Sequence, residues 1–495
     1  MADGSTGLRS RTVRAIAWTS VSSLLTQVLT FSSALVLIRL ISPSDFGTMA
    51  IAIAVIGLAV VVADTGLSTA LVQRADCTRA ASSSVFWVQL TVSVAMTALT
   101  VSLAGPLAAL FHSPAVQPIL VALAVTLPMQ GLSAVPRALV VRELRMGHIA
   151  TVDILAALSS AVIGVVAALL HQGVWALVYA AQAWAGVSVL GAVLAARWLP
   201  AWTINRTDLR ELASFARPFY GTVLITYLIR NGDNMLIGRF LGSYQLGLYS
   251  RAYALLLVPS RQITGVVGST LQISLARIAK DLERSRRVYL ETCRHILFLT
   301  MPLMLFLAVI AEDFVPVVMG ERWLPAIPTI RVLALVGILE PLAGTCGWLY
   351  YAQGRTDLGF RMSLIAGPVY LGAIGLGVYA GSATSAAMAY LLINIVMIPL
   401  LLARAGSLIG VRLRDHVRSA RSIALASALT GLAVAGLQHL LASAGVAPAL
   451  RLLAECVAGA SSYLLFARLL KVEEAAMLFD LRTKVAASFR ARSAA

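Results

Sequence analysis

Leu35-Val-Leu-Ile-Arg39-Leu-Ile-Ser-Pro-Ser-Asp-Phe-Gly47 joins two long apolar runs of the sequence, residues 15–40 and 46–66. A bilayer core about 30 Å thick is crossed by about 20 apolar residues in a helix. Each run is therefore long enough to span a membrane. Arg39 stands at the end of the first predicted helix, and Gly47 lies in the opening of the second.

Apolar runs of this kind continue to the C-terminus and predict an all-α polytopic membrane protein with about fourteen transmembrane helices. We place the spans at 15–40, 46–66, 83–111, 115–138, 149–171, 174–196, 214–239, 244–274, 289–311, 326–351, 358–380, 384–404, 421–441 and 447–469.

Composition agrees with this prediction. The 495 residues are 59% hydrophobic and 12% charged, and the mean hydropathy is +0.86. A net charge of +17 would suggest nucleic acid in a soluble protein. Here most basic residues fall in alternate loops, so the positive-inside rule predicts a protein of the bacterial inner membrane with both termini cytoplasmic and no nucleic-acid partner.

The stretch from Leu35 to Gly47 recurs 200 residues later as Met235-Leu-Ile-Gly-Arg239-Phe-Leu-Gly-Ser-Tyr-Gln-Leu-Gly247. An even number of predicted helices separates the copies, so both have the same orientation. This predicts two six-helix bundles related by a pseudo-two-fold axis along the membrane normal, plus two C-terminal helices. The predicted parts are a cytoplasmic N-terminus (1–14), two lobes (15–205 and 206–405), two additional helices (406–470) and a cytoplasmic tail (471–495).

Ionisable residues inside predicted helices indicate where a substrate would be handled, because each costs about 2.5–3.5 kcal/mol in a bilayer unless it faces a wet cavity or a partner. Arg230 and Asp233 lie three residues apart on one helix, so they either neutralise each other or face a cavity. The residues 200 positions earlier are Thr30 and Ser33, so the charge is one-sided. The cavity candidates are Arg39, Asp64, Arg230, Asp233, Arg251, Arg261 and Glu340.

A cavity with three arginines in its second half would favour an anion, and guanidinium groups suit phosphate or pyrophosphate oxygens. Arg251 has the alternative of extending its side chain to the outer surface. Prolines inside predicted helices, Pro128, Pro259 and Pro341, would kink those helices, either for gating or as static packing features.

The histidines are scattered, and neither a nucleophile motif nor a phosphate-binding loop appears, so we expect no enzyme activity and no cofactor. The four cysteines, Cys77, Cys293, Cys346 and Cys456, have no paired spacing and are predicted to be reduced and structural.

Three segments together resemble one family of transporters. They are Arg39-Leu-Ile-Ser-Pro-Ser-Asp-Phe-Gly-Thr-Met, Ala63-Asp-Thr-Gly-Leu-Ser-Thr-Ala-Leu-Val-Gln, and Asp233-Asn-Met-Leu-Ile-Gly-Arg-Phe-Leu-Gly with the following Leu-Gly-Leu-Tyr-Ser. With Pro259 and Gly320-Glu-Arg-Trp, they resemble the polysaccharide-transport flippases of the multidrug/oligosaccharidyl-lipid/polysaccharide exporter superfamily. Asp45 of the first repeat is Gln245 in the second, so the halves are not interchangeable.

The resemblance implies a two-lobed transporter that flips undecaprenyl-pyrophosphate-linked oligosaccharide by alternating access, for exopolysaccharide, capsule or O-antigen assembly. Its partners would be this lipid-linked glycan, membrane lipids, and the polysaccharide polymerase and chain-length machinery. H⁺, Na⁺ or the membrane potential would drive transport. A cation-coupled multidrug antiporter of the same superfamily is the alternative, because Asp64, Asp233 and Glu340 would also suit a cationic substrate.

Overall fold

The computed structural model describes residues 3–64, 66–73 and 78–475, with side chains described throughout these ranges except at 3–17, 19–21, 73, 206–222, 225–226, 258–267, 269–270 and 273. The described backbone is helical almost throughout. Its helices are α1 (Asp3–Leu40), α2 (Pro43–Ala63), α3 (Leu67–Gln73), α4 (Arg79–Leu110), α5 (Val116–Ala124), α6 (Thr126–Arg142), α7 (Met146–Leu169), α8 (Val174–Ala196), α9 (Arg206–Arg277), α10 (Leu282–Phe314), α11 (Ile327–Ala352), α12 (Thr356–Tyr379), α13 (Ala383–Gly406), α14 (Leu413–Ser443) and α15 (Pro448–Leu469).

The structure confirms the fold class. Within the described residues, twelve helical segments are long and apolar enough to cross a membrane. They correspond one to one with twelve of the fourteen predicted spans. The remaining two predicted spans, 214–239 and 244–274, both lie in α9, which contains one non-helical residue, Gly242. The count of fourteen therefore stays a prediction.

The break at Gly242 occurs at the position equivalent to Ser42 in the first copy of the repeat. Ser42 is the N-cap of α2, and its hydroxyl accepts a hydrogen bond from the backbone N–H of Asp45 at 3.2 Å. Pro43 follows at the first helical position, where its missing N–H costs nothing. In the second copy Gly242 adopts a positive φ of 81°, a conformation that glycine tolerates. The two copies thus break their helices at the same place by different means.

The glycines of the two copies contact each other within one compact unit, which extends from Met1 to Gly247. A Cβ built on Gly47 would lie 1.6 Å from the carbonyl oxygen of Ser243. A Cβ built on Gly247 would lie 1.8 Å from the carbonyl oxygen of Pro43. Each copy uses the same two positions, so the contact is self-complementary, as expected at a two-fold axis. Glycine has a hydrogen atom in place of the Cβ, so the two backbones can approach this closely.

Pro128 breaks its predicted helix, as its sequence position indicated. The segment divides into α5 and α6 at Val125. Pro128 has no N–H to offer the carbonyl of Ala124, and the hydroxyl of Thr97 donates to that oxygen at 3.2 Å instead. Pro341 lies inside α11, and the described helix continues through it, so the predicted kink there stays a prediction. The side chain of Pro259 lies outside the described residues.

The second compact unit extends from Leu248 to Ala495. Its core packs around Tyr289, whose hydroxyl lies 3.0 Å from that of Thr345. Cys293 is also hydrogen bonded to Thr345, and the buried Cys346 is adjacent in sequence. The two cysteines are distant in sequence but belong to this same core. Both are free thiols, as is the exposed Cys456; Cys77 lies outside the described residues.

Several local features differ from the sequence prediction. The second predicted span ends at Ala63 instead of 66, and a short helix that was not predicted, α3, follows it. α9 begins at Arg206, before the start of the predicted span 214–239. The side chains of residues 206–222 lie outside the described residues. Gly320 lies between two short helical segments, a π-helical turn at Val315–Met319 and a 3₁₀ helix at Glu321–Ala326. Trp323 in the second segment is buried.

Candidate functional site

A polar pocket of about 470 Å³ lies in the first unit. It is open at one side, and α1, α6, α7 and α8 contribute to it. Polar residues at helical spacing on α1 form one wall, opposite a charged pair on α6 and α7. The lining residues are Ser22, Ser23, Thr26, Gln27, Arg137, Asp153 and Trp184.

The charged pair of this pocket is bidentate. Arg137 donates from Nη1 to Oδ1 of Asp153 at 2.8 Å and from Nη2 to Oδ2 at 2.9 Å. The side chains are 40% and 29% exposed, so solvent screens the pair in part. Arg137 lies at the end of the predicted span 115–138, and α6 continues past it to Arg142. The pocket is therefore polar but balanced in charge.

A tyrosine cluster lies in the second unit. The rings of Tyr253 and Tyr390 have centroids 6.2 Å apart, and those of Tyr370 and Tyr390 are 5.8 Å apart. The hydroxyl of Tyr370 donates to Oδ1 of the buried Asn394 at 3.2 Å. Asn394 in turn donates to the carbonyl of Tyr390 at 2.7 Å, which fixes the amide orientation. Three helices thus hold half-buried rings and hydroxyls against one another.

Glu340 brings a carboxylate to this cluster from α11. It is close enough to act electrostatically on both Tyr370 and Tyr390. We define the tyrosine–Glu340 cluster as Tyr253, Glu340, Tyr370, Tyr390 and Asn394. Aromatic faces, hydroxyls and one carboxylate can pack against a ring-shaped ligand and hydrogen bond to its hydroxyl groups.

Arg251, a predicted anion ligand, lies between Tyr249 and Tyr253 in the sequence of α9. Those two rings stack 5.9 Å apart on one face of α9. At 3.6 residues per turn, Arg251 projects roughly 160–200° away from them. It is half-buried there. The role of Arg251 as an anion ligand stays a prediction.

The other predicted cavity residues have different environments. Arg230 is exposed, whereas Asp233 is 6% exposed and accepts a hydrogen bond from the N–H of Asn234 at 2.7 Å.

Arg39 is exposed at the end of α1. Asp64 ends α2, and its carboxylate accepts from the N–H of Gly66 at 3.1 Å, which closes a turn. The side chain of Arg261 lies outside the described residues. The role of these residues in a cavity stays a prediction.

Sequence analysis missed Asp153, Tyr253, Tyr370, Tyr390 and Asn394. The tyrosines come from three helices that are far apart in sequence, so no spacing pattern connects them. Asp153 did carry a signal, because a carboxylate inside the predicted apolar span 149–171 requires a partner.

The helices, their lengths and the two polar clusters define a multi-pass membrane protein with the fold of a transporter. The inward closed conformation of the lipid II flippase MurJ superimposes with a TM-score of 0.71, at 13% identity, over 92% of this chain and 98% of that one. An inward-facing multidrug resistance MATE family transporter of the MOP superfamily gives 0.59, at 12% identity, over 80% of this chain and 98% of that one. At such identities these likenesses establish the fold.

Sequence comparison identifies the family. Residues 36–328 match the family described as "Polysaccharide biosynthesis protein". The chain therefore belongs to this family. It is 25% identical to the lipopolysaccharide biosynthesis protein WzxC of Escherichia coli (strain K12), over 79% of this chain and 80% of that one. It is 27% identical to the succinoglycan biosynthesis transport protein ExoT of Rhizobium meliloti (strain 1021), over 77% and 78%.

Proposed function

We propose that this protein flips undecaprenyl-pyrophosphate-linked oligosaccharide repeat units from the cytoplasmic to the outer leaflet of the bacterial inner membrane, by alternating access. The observation that carries the proposal is the match to ExoT, a protein named for transport in polysaccharide biosynthesis, over more than three quarters of both chains. The MurJ-like fold supports it, because that protein is named as a flippase. The product would enter exopolysaccharide, capsule or O-antigen assembly.

In this proposal the tyrosine–Glu340 cluster and the arginines predicted from the sequence have different tasks. The tyrosine–Glu340 cluster offers aromatic faces and hydrogen-bonding groups, which suit sugar rings and their hydroxyls. The arginines Arg230, Arg251 and Arg261 would attract the pyrophosphate. Both termini are cytoplasmic in the proposed orientation, and H⁺, Na⁺ or the membrane potential drives the cycle. The polymerase and chain-length machinery would take the flipped product.

The test is a deletion of the gene in its source organism, complemented with the wild type or with the Tyr390→Ala variant. Lipid-linked intermediates are extracted and identified by mass, and surface polysaccharide is measured. The deletion should accumulate the lipid-linked oligosaccharide on the cytoplasmic side and lose surface polysaccharide. Tyr390→Ala should restore export incompletely at normal abundance. Tyr379→Ala is the matched control, because Tyr379 is 94% exposed and should restore export fully.

The multidrug antiporter gives the opposite pattern. A deletion strain would then keep its lipid-linked intermediates and surface polysaccharide unchanged and would become sensitive to cationic drugs. That result would overturn the flippase proposal.

A further inference from the structure

We propose that Asp313 and Glu455 together form a proton-binding site between α10, α14 and α15. Asp313 lies in the last turn of α10, and Glu455 lies two turns into α15. They are 1% and 0% exposed. The site contains none of the residues assigned to the substrate above.

The two carboxyl groups have opposite hydrogen-bonding environments. Oδ1 of Asp313 pairs with Nη2 of Arg451 at 2.6 Å, and Oδ2 accepts from Nε2 of Gln438 at 2.9 Å. Donors thus reach both oxygens of Asp313, as an ionised carboxylate requires. In the described part of the chain, neither Oε1 nor Oε2 of Glu455 has a hydrogen-bond donor. An ionised carboxylate in that environment would carry its full desolvation cost.

A proton on Glu455 resolves this imbalance. Glu455 follows Arg451 by one turn of α15, so the ion pair of Arg451 with Asp313 brings the two carboxyl groups together. A protonated Glu455 donates its O–H to Asp313, so both groups are satisfied. Two carboxylates in contact cannot both ionise readily when buried. Arg451 compensates one negative charge, and the proton removes the other, so the site is neutral when it holds one proton.

The surrounding charges do not supply an alternative partner. On α10, Glu312 next to Asp313 is exposed and pairs with Arg331 at 2.8 Å. On α14, His439 next to Gln438 is exposed, as is Cys456 on α15. The side chain of Arg451 is 20% exposed, so it connects the buried carboxyl groups to the surface. The positive charge of Arg451 would repel a metal cation beside these carboxyl groups.

Binding of this proton affects the contact between α10 and α15 and therefore the stability of the protein. α10 and α15 pack closely, since a Cβ on Gly459 of α15 would lie 2.6 Å from the ring of Phe306 on α10. Loss of the proton leaves two contacting negative charges between α10 and α15, opposed by one arginine. The folded protein binds a proton that an unfolded carboxyl group would release at neutral pH, so stability decreases as the pH rises.

Infrared difference spectroscopy of the purified full-length protein tests the site directly and needs no glycan, so its result is independent of the proposed function. Neutral-pH samples should show the C=O stretch of one protonated carboxylic acid, which disappears on alkalinisation. Glu455→Gln and Asp313→Asn should each lose this band, because the remaining carboxylate then pairs with Arg451. The control Glu312→Gln should keep it. Thermal melts should show the same pattern, with the alkaline destabilisation of the wild type missing in Glu455→Gln.

Two results would overturn the proposal. An identical carboxylic-acid band in the wild type, Glu455→Gln and Asp313→Asn would place the protonated group elsewhere. Loss of the band on addition of NaCl at constant pH and ionic strength, with ²²Na⁺ bound by the wild type and not by Glu455→Gln, would assign the site to sodium.

Discussion

Replacing Gly47 with Ala tests the contact between the two copies of the repeat. The new Cβ would lie 1.6 Å from the carbonyl oxygen of Ser243. An ordinary contact begins at 3.4 Å, so the helices must separate by about 1.8 Å. Overpacking typically costs 1–3 kcal/mol. Because a backbone atom blocks the new methyl group and cannot rotate away, we expect about 3 kcal/mol, at the upper end of this range.

Gly247→Ala should have a similar effect, since its Cβ would lie 1.8 Å from the carbonyl oxygen of Pro43. The double variant should cost less than the sum of the two, because the first substitution already opens the crossing that the second requires. Gly186→Ala is the matched control: it lies in α8 with no atom within 4 Å of its built Cβ. There, alanine should be neutral or stabilise by about 0.5–1 kcal/mol through its helix propensity.

The assay is the fraction of monodisperse protein in detergent after heating, measured by size-exclusion chromatography with each variant at the same concentration. Gly47→Ala and Gly247→Ala should melt well below the wild type, and Gly186→Ala should not. Melting of all three at the wild-type temperature would refute the close backbone contact. Strictly additive losses in the double variant would refute a single shared crossing.

Three further predictions concern the polar clusters and the repeat junction. Tyr390→Phe should lower glycan export less than Tyr390→Ala, since it keeps the ring and removes only the hydroxyl, as complementation of the deletion strain would show. Arg137→Gln and Asp153→Asn should each destabilise the protein, as thermal melts would show. The double variant should lose about 1 kcal/mol less stability than the sum of the two single variants. Purely additive losses would exclude an energetic role for the ion pair. Ser42→Ala should cost about 1 kcal/mol by removing the N-cap of α2, and an unchanged melting temperature would contradict this.

Most of the fold could be predicted from the lengths of the apolar runs in the sequence. Twelve described helices match predicted spans, because the bilayer sets the length of each apolar run. The repeat was also detectable, since a break at position 42 and its equivalent at Gly242 are separated by the same 200 residues as the motifs themselves. The sequence does not show that Gly47 and Gly247 contact each other. Small residues permit close approach anywhere, and which pair approaches depends on tertiary packing.

The candidate sites were less predictable. Charged residues in apolar runs drew attention to Glu340, yet its neighbours Tyr370 and Tyr390 carry no signal that separates them from ordinary membrane-facing tyrosines. Arg251 was singled out by its charge, and the helical repeat places it on the face of α9 opposite Tyr249 and Tyr253, so its role as an anion ligand stays a prediction. Glu455 is an ionisable residue in the predicted span 447–469. Its relation to Asp313 depends on the packing of α10 against α15, about 140 residues later in the sequence.

The most direct test of the central claim is reconstitution of the purified protein into liposomes that contain the lipid-linked oligosaccharide isolated from the deletion strain. The fraction of glycan in the outer leaflet is measured with a membrane-impermeant reagent that modifies sugars. The account predicts that the wild type makes the inner-leaflet glycan accessible, that Tyr390→Ala slows this exchange, and that Tyr379→Ala does not. Glycan that stays inaccessible in liposomes containing folded wild-type protein, at every ion gradient and membrane potential applied, would contradict the claim.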